Sequence, residues 1–323
     1  MVSAGPSDCI VCGTCTVDIL VRPVGLTEPI GGGRLFEVDP IDVTTGGIVC
    51  NSGIAMRRLG LTVDAASIVG DDFWGGVVRS RLGSEEIGTA AVEVHPSLAT
   101  STTAVLIDPS GERSFAHHVG APQSLDLAFI RRHAADFGRS RMALIGYFGL
   151  LPSLEPMLDM AVAAVRAAGA AVALETGGSG GTLETLAPAL RYVDLYVPSL
   201  DEARHQTGLN DPREIIACYR RHGAGGIVGV KLGSRGTLLS GSAGEFLDIP
   251  CVPAPGPVAD TTGAGDSLLA GLIAGLLRGM PLAQAGRLGA ATAACCVTAM
   301  GATAGLRSFE ETLRLAGGVG VPE

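Results

Sequence analysis

An α/β fold, with a mainly parallel central sheet, helices on both of its faces and a small separate β-sheet, is predicted from three observations. Short β-rich runs alternate with amphipathic helical stretches nearly to the end of the 323 residues. Two regions, 34–45 and 99–119, break that alternation and read as strands with no helix between them. Glycine, at 47 residues, is about twice its usual ~7% and follows no G-X-Y period, so it marks tight turns and close backbone approaches.

The candidate strands of the main sheet are 10–15, 63–69, 142–145, 170–174, 192–197 and 227–231. Helices are expected at 52–59, 73–82, 127–137, 154–168, 183–190 and 200–207. Two longer helices follow. In 266–277, Leu268, Leu269, Leu272, Ile273, Leu276 and Leu277 fall on one helical face, and the other helix runs from 282 to about 300. In 99–119, TSTTAVLID, a PSGE turn and RSFAHH read as a hairpin. Absence of an internal repeat or a low-complexity linker makes 1–323 a single domain, with the small sheet, drawn from about 16–22, 34–45 and 99–119, covering one end as a lid.

The composition excludes several classes. A net charge of −9 on a chain that is 47% hydrophobic describes a folded acidic protein. Its basic residues are 22 Arg and one Lys, with no basic run longer than a pair, which argues against a nucleic-acid partner. Mean hydropathy is +0.38 and 288–306 carries no charge, but that stretch is mostly Ala, Gly, Thr and Cys, the composition of a buried helix and not of a membrane span. The start, MVSAGPSD, lacks the basic and apolar blocks of a signal peptide, so a cytoplasmic location is expected. Cys9, Cys12 and Cys15 spell C-x-x-C-x-x-C. In a strand, however, Cys12 points away from the other two, so reduced, buried thiols are expected in place of a metal site.

The glycine loops carry the chemistry. No G-x-x-x-x-G-K-[ST] exists, since the only lysine lies in VKLGSRG, and no dinucleotide fingerprint follows a strand. DTTGAGDSLLAGL instead runs a glycine loop into an amphipathic helix. Gly263, Ala264 and Gly265 sit where helix N–H groups and the dipole can hold an anion, and Asp266 lies beside them on the first turn. A carboxylate there can take a proton from an attacking hydroxyl, or it can simply cap the helix. TTGGIVCNSGIAMRRLG has the same loop-to-helix form. Gly46 and Gly47 admit a ligand to the backbone, and Asn51 offers donor and acceptor unless it too is only a cap.

Together these segments resemble the ribokinase-like, PfkB-type carbohydrate kinase family, collinearly over nearly the whole chain. The resemblance implies a three-layer ribokinase-like fold and ATP-dependent phosphoryl transfer to a primary hydroxyl of a sugar, sugar acid or nucleoside. It implies that Asp18, just after the first strand, grips substrate hydroxyls beside Gly46, Gly47 and Asn51. DTTGAGD would form the anion hole and catalytic base. PSLDEA would bring Glu202 near magnesium and phosphates, and KLGSRG would supply Lys231, Gly233, Arg235 and Gly236 to the nucleotide. Lys231 adds a point charge near the phosphates, or is a surface residue at a strand end. Asp260 and Thr262 are candidate ligands of a monovalent cation such as K+ behind the anion hole. Homodimerisation through the lid is expected as well.

Ile48 replaces the lysine of ribokinase itself and Gly149 an acidic sugar contact, so an acceptor larger or less polar than ribose is admitted. Two alternatives stay open at this point. One is a non-catalytic sugar or nucleotide sensor on the same fold. The other is a serine hydrolase using Ser179, which lies in a G-x-S-x-G string and would need His205 or His222.

Overall fold

A computed structural model describes residues 6–27, 31–33, 35–178 and 180–317. Its strands are β1 (Ser7–Cys12), β2 (Thr16–Val21), β3 (Asp42–Gly46), β4 (Val63–Gly70), β5 (Gly88–His95), β6 (Thr102–Ile107) and β7 (Arg113–His118). They continue with β8 (Ser140–Gly146), β9 (Ala171–Glu175), β10 (Leu195–Tyr196), β11 (Ile227–Lys231), β12 (Thr237–Ser240) and β13 (Phe246–Ile249). The helices are α1 (Gly47–Arg58), α2 (Phe73–Ser84), α3 (Leu127–Arg132), α4 (Ala134–Gly138), α5 (Leu158–Ala168) and α6 (Leu183–Leu190). After them come α7 (Leu200–Thr207), α8 (Pro212–Arg221), α9 (Ala264–Leu277), α10 (Leu282–Cys296) and α11 (Phe309–Leu315).

The nine-stranded sheet runs β13-β12-β11-β10-β9-β8-β1-β4-β5. Every pairing from β11 to β5 is parallel, and the β12–β13 hairpin adds an antiparallel edge. β1 lies inside this sheet and reads as an apolar run because both of its faces are covered. Its two cysteines divide as alternation requires, Cys12 joining the core on one face and Cys9 the core on the other, where Cys15, beyond the strand, also lies. All eight cysteines are free, and no cluster of metal-ligating residues occurs among the described residues.

The second sheet has four strands in the order β3-β2-β6-β7. It draws on the three segments expected of the lid, although position 34 lies outside the described residues. The chain enters it directly from β1 and leaves it directly into α1, which places the lid beside the C-terminal end of β1.

Several boundaries differ from the sequence reading. The strand expected at 10–15 ends at Cys12, where the chain crosses into the lid. The helix expected at 127–137 breaks at His133, whose ring bonds Asp136 and Glu93. The last long helix stops at Cys296, short of 300. β5, the β12–β13 hairpin, α8 and α11 had no counterpart; the strands are short or small-residue edges, while α8 carries an Asp211-Pro212 start that could have been read. The uncharged stretch after Arg287 is largely the buried part of α10 packed on α9. Among the described residues no helix is long and apolar enough to cross a membrane.

Candidate active site

A cleft of about 800 Å³ opens between the lid and the C-terminal ends of the parallel strands, the edge of an α/β sheet where ligands are bound. Thr14 follows β1, Tyr147 follows β8, Glu175 ends β9 and Lys231 ends β11, so four strand ends of the sheet each deliver a polar group to one place.

The N-terminus of α9 forms one wall. Its N-cap is Gly263 at φ 74, a conformation that favours glycine, and a Cβ there would stand 2.5 Å from that of Ala302. The N–H of Ala264 is spent on the Thr261 carbonyl at 3.2 Å, whereas those of Gly263, Gly265 and Asp266 meet no acceptor among the described residues. Those three residues line the cleft and Ala264 does not. Ala264 therefore shapes the turn without offering a free donor.

Asp266 is not the helix cap. It is buried, and its Oδ2 accepts from Asn51 Nδ2 at 2.8 Å and from the Tyr147 hydroxyl at 2.7 Å. No donor among the described residues reaches Oδ1. Burial raises its pKa above the ordinary aspartate value, with both hydrogen bonds and Lys231 opposing. Asn51 is likewise no cap: α1 starts at Gly47, four residues earlier, and the amide is turned toward α9.

Lys231 is not a surface residue. Its side chain is 11% exposed and its Nζ donates to Glu175 Oε1 at 2.7 Å. Burial would lower its pKa, but Glu175, Glu202 and Asp266 outweigh that and hold it above the usual lysine value. Burial pushes Glu175 up to about 8, with Glu202 and Asp266 adding to the rise against Lys231. One ammonium thus serves three carboxylates, an arrangement short of positive charge. Glu202 closes the capping box of α7, its Oε2 accepting from Ser199 N at 2.7 Å and its Oε1 from Gly177 N at 3.1 Å. Burial raises Glu202, but Lys231 and the Ser199 bonds bring it below the ordinary value.

The lid supplies the opposite wall. Strand register sets Thr44, Asp18, Thr103 and His117 in one row, and all four line the cleft. The next row toward the lid's far end is Leu20, Val105 and Phe115, and after it come Ile107 and Arg113. Burial pushes Asp18 up to about 6, with the Thr103 hydroxyl opposing. A Cβ at Gly46 would lie 2.2 Å from Asp18 Oδ2, so a larger residue there would push that carboxylate from its place. Gly47 begins α1 directly beneath.

Asp260 and Thr262 are brought together behind the α9 N-terminus. The Asp260 carboxylate accepts from Thr262 N at 2.6 Å and Gly301 N at 2.8 Å. Its remaining partner is Arg113 of the lid, 2.6 Å from Oδ1, and the same guanidinium donates to the Thr262 hydroxyl.

Gly233 lines the cleft, but Arg235 points into solvent and Gly236 turns the chain between β11 and β12; neither belongs to the cleft wall. Ser179 lies outside the described residues, and neither His205 nor His222 lines the cleft. Tyr147, Glu175 and Arg113 were given no role from the sequence. Only Glu175 left a plain signal, a carboxylate ending an apolar strand just before a glycine turn.

The profile of the pfkB family carbohydrate kinases matches residues 8–308. The ribokinase of Haemophilus influenzae is 26% identical over 317 residues, 94% of this chain and 96% of that one. A fructokinase of Klebsiella pneumoniae is 29% identical over 278 residues, 82% of this chain and 83% of its own. Among solved structures, Arabidopsis thaliana ribokinase complexed with ribose and ATP superposes with a TM-score of 0.82 at 22% identity, covering 97% of this chain and 99% of that chain. With the mainly parallel sheet, the lid and a carboxylate buried at a helix N-terminus, these matches lead to one conclusion: the chain belongs to the pfkB family of carbohydrate kinases, phosphotransferases whose acceptor is an alcohol.

Proposed function

We propose that the cleft transfers the γ-phosphoryl group of ATP to a primary hydroxyl of a sugar, sugar acid or nucleoside, with Asp266 as general base. The observation that carries this reading is the state of Asp266: one oxygen pinned by Asn51 and Tyr147, the other without a donor, at a helix start where the N–H groups of Gly263, Gly265 and Asp266 are unpaired. In the transfer the acceptor oxygen bonds to phosphorus, its proton passes to Asp266 Oδ1, and the bond from phosphorus to the leaving oxygen of ADP breaks. A base buried enough to raise its pKa suits that step. The N–H groups of Gly263, Gly265 and Asp266 face the charge that gathers on the transferred group. Lys231 adds a positive charge on the same side, its ammonium lying 3.3 Å from where a Gly265 Cβ would sit.

Mg2+ fits the same end of the cleft. Glu175 Oε2 is buried without a partner, and hard carboxylate oxygens suit a cation that keeps part of its water shell. There it would neutralise phosphate charge, with Glu175 and Glu202 holding its waters. K+ fits less well, since the hard oxygens of Asp260 and Thr262 already face a guanidinium.

On the acceptor side, the row of Thr44, Asp18, Thr103 and His117 suits neighbouring hydroxyls, and the buried Asn51 Oδ1 and Thr14 Oγ1 both lack a donor. The apolar row beyond it leaves room for a larger, less polar remainder. A second copy fits the exposed Ile41 and Val43 beside the lid edge, a point that sedimentation of the purified chain tests. The functional test is ADP release from ATP and magnesium over a panel of pentoses, hexoses, sugar acids and nucleosides. Turnover that depends on one class of vicinal diols is expected; ATP hydrolysis indifferent to every acceptor, or none at all, contradicts the reading.

A further inference from the structure

Arg113 is the one half-buried residue of β7: residues 114–118 are exposed, whereas its own side chain is only 14% exposed. It reaches across the cleft to the segment that leads into α9. There its guanidinium pairs with Asp260 Oδ1 at 2.6 Å and donates to Thr262 Oγ1. The partner carboxylate is 4% exposed, and its other bonds come from the backbone of Thr262 and Gly301, so it ties the 260–262 segment to the turn after α10. A buried carboxylate left without a counter-charge is costly. Something cationic has to stand at this place for the loop before Gly263 to hold its shape. A free monovalent cation placed on Asp260 Oδ1 and Thr262 Oγ1 would compete with the guanidinium and meet its positive charge.

We infer that Arg113 supplies from the lid the positive charge this loop requires, so that the chain needs no monovalent cation and orders its anion-binding helix start only when the lid lies over the cleft. Arg113 is a positioning residue: it acts through Asp260 and Thr262 on the N–H groups of Gly263, Gly265 and Asp266. The inference rests on the kinase reading of the cleft only for its kinetic arm.

The test compares the parent with Arg113→Met and Arg113→Lys in buffers of potassium, sodium or tetramethylammonium chloride at equal ionic strength. Two readouts are taken, steady-state phosphotransfer and the thermal midpoint without substrates. The parent is expected to show the same kcat and the same midpoint in all three salts. Arg113→Met should lose about tenfold or more in kcat, as misplacement of a catalytic loop does, with KM for ATP nearly unchanged. Its midpoint should fall in tetramethylammonium and recover in potassium or with added guanidinium ion, and Arg113→Lys should stand between the two. A parent activated or stabilised by potassium over tetramethylammonium overturns the inference, as does an Arg113→Met variant whose kcat and salt response match the parent. If no acceptor supports turnover, the kinase reading fails, and the thermal arm still decides the role of Arg113.

Discussion

The hydroxyl of Tyr147 donates to Asp266 Oδ2 at 2.7 Å, from a residue in the left-handed region (φ 57) just beyond β8. A bulky side chain seldom adopts that backbone conformation, and here it sets the phenol against the carboxylate proposed as base. Asn51, from α1, donates to the same oxygen. Two elements thus fix which lone pairs of Asp266 remain for the substrate.

Tyr147→Phe removes one of those bonds without removing the base. A hydrogen bond to a charged group contributes about 1.5–3 kcal/mol, so kcat should drop by roughly tenfold or more. The bond also lowers the pKa of Asp266, and its loss raises it. The acidic limb of the kcat profile should therefore move to higher pH, which rates measured across pH at saturating substrate will show.

Asp18→Asn tests the acceptor row. Burial pushes the pKa of Asp18 up to about 6, so the carboxylate is protonated below that pH and takes fewer hydroxyl donors. For the parent, kcat/KM for a diol acceptor should rise with pH through about 6. In the variant KM should be strongly raised, the part of that limb due to Asp18 should vanish while any due to Asp266 remains, and the disadvantage of deoxy analogues should shrink. His117 stands in the same row with its pKa lowered by burial and by His118. His117→Asn should leave the Asp18 limb in place.

Much of this site was legible because its chemistry rests on local strings. The turn at 263–266 is short, glycine-dependent and joined to an amphipathic helix, so Asp266 and its helix start could be singled out before any tertiary structure was known. The lid could be placed because hairpin alternation needs no long-range information. What could not be read was which residues meet across the fold. Tyr147 approaches Asp266 from 119 positions away and Arg113 reaches Thr262 across 149. Nothing local marks a tyrosine in an apolar strand end or an arginine after a turn as a partner of the helix start. Lys231 shows the same limit from the other side, for the Glu175 carboxylate that pairs with it lies two strands away in the sheet.

Lys231→Met separates structure from binding. It takes the cation away from Glu175, Glu202 and Asp266, which should lower stability and raise KM for ATP. Lys231→Met combined with Glu175→Gln should recover most of the stability, measured by denaturant unfolding. ATP affinity should stay weak if Lys231 faces phosphate. Recovery of both in the double variant assigns Lys231 a structural role alone.

The central claim is that Asp266 takes the acceptor proton, and single-turnover phosphotransfer by Asp266→Asn, with ATP binding measured in parallel, tests it most directly. The amide keeps the size of the side chain and removes the basic oxygen. The transfer rate should fall by at least the ~10²-fold typical of a lost general base while ATP affinity stays within a few-fold of the parent. A variant that transfers phosphate at the parental rate contradicts the account.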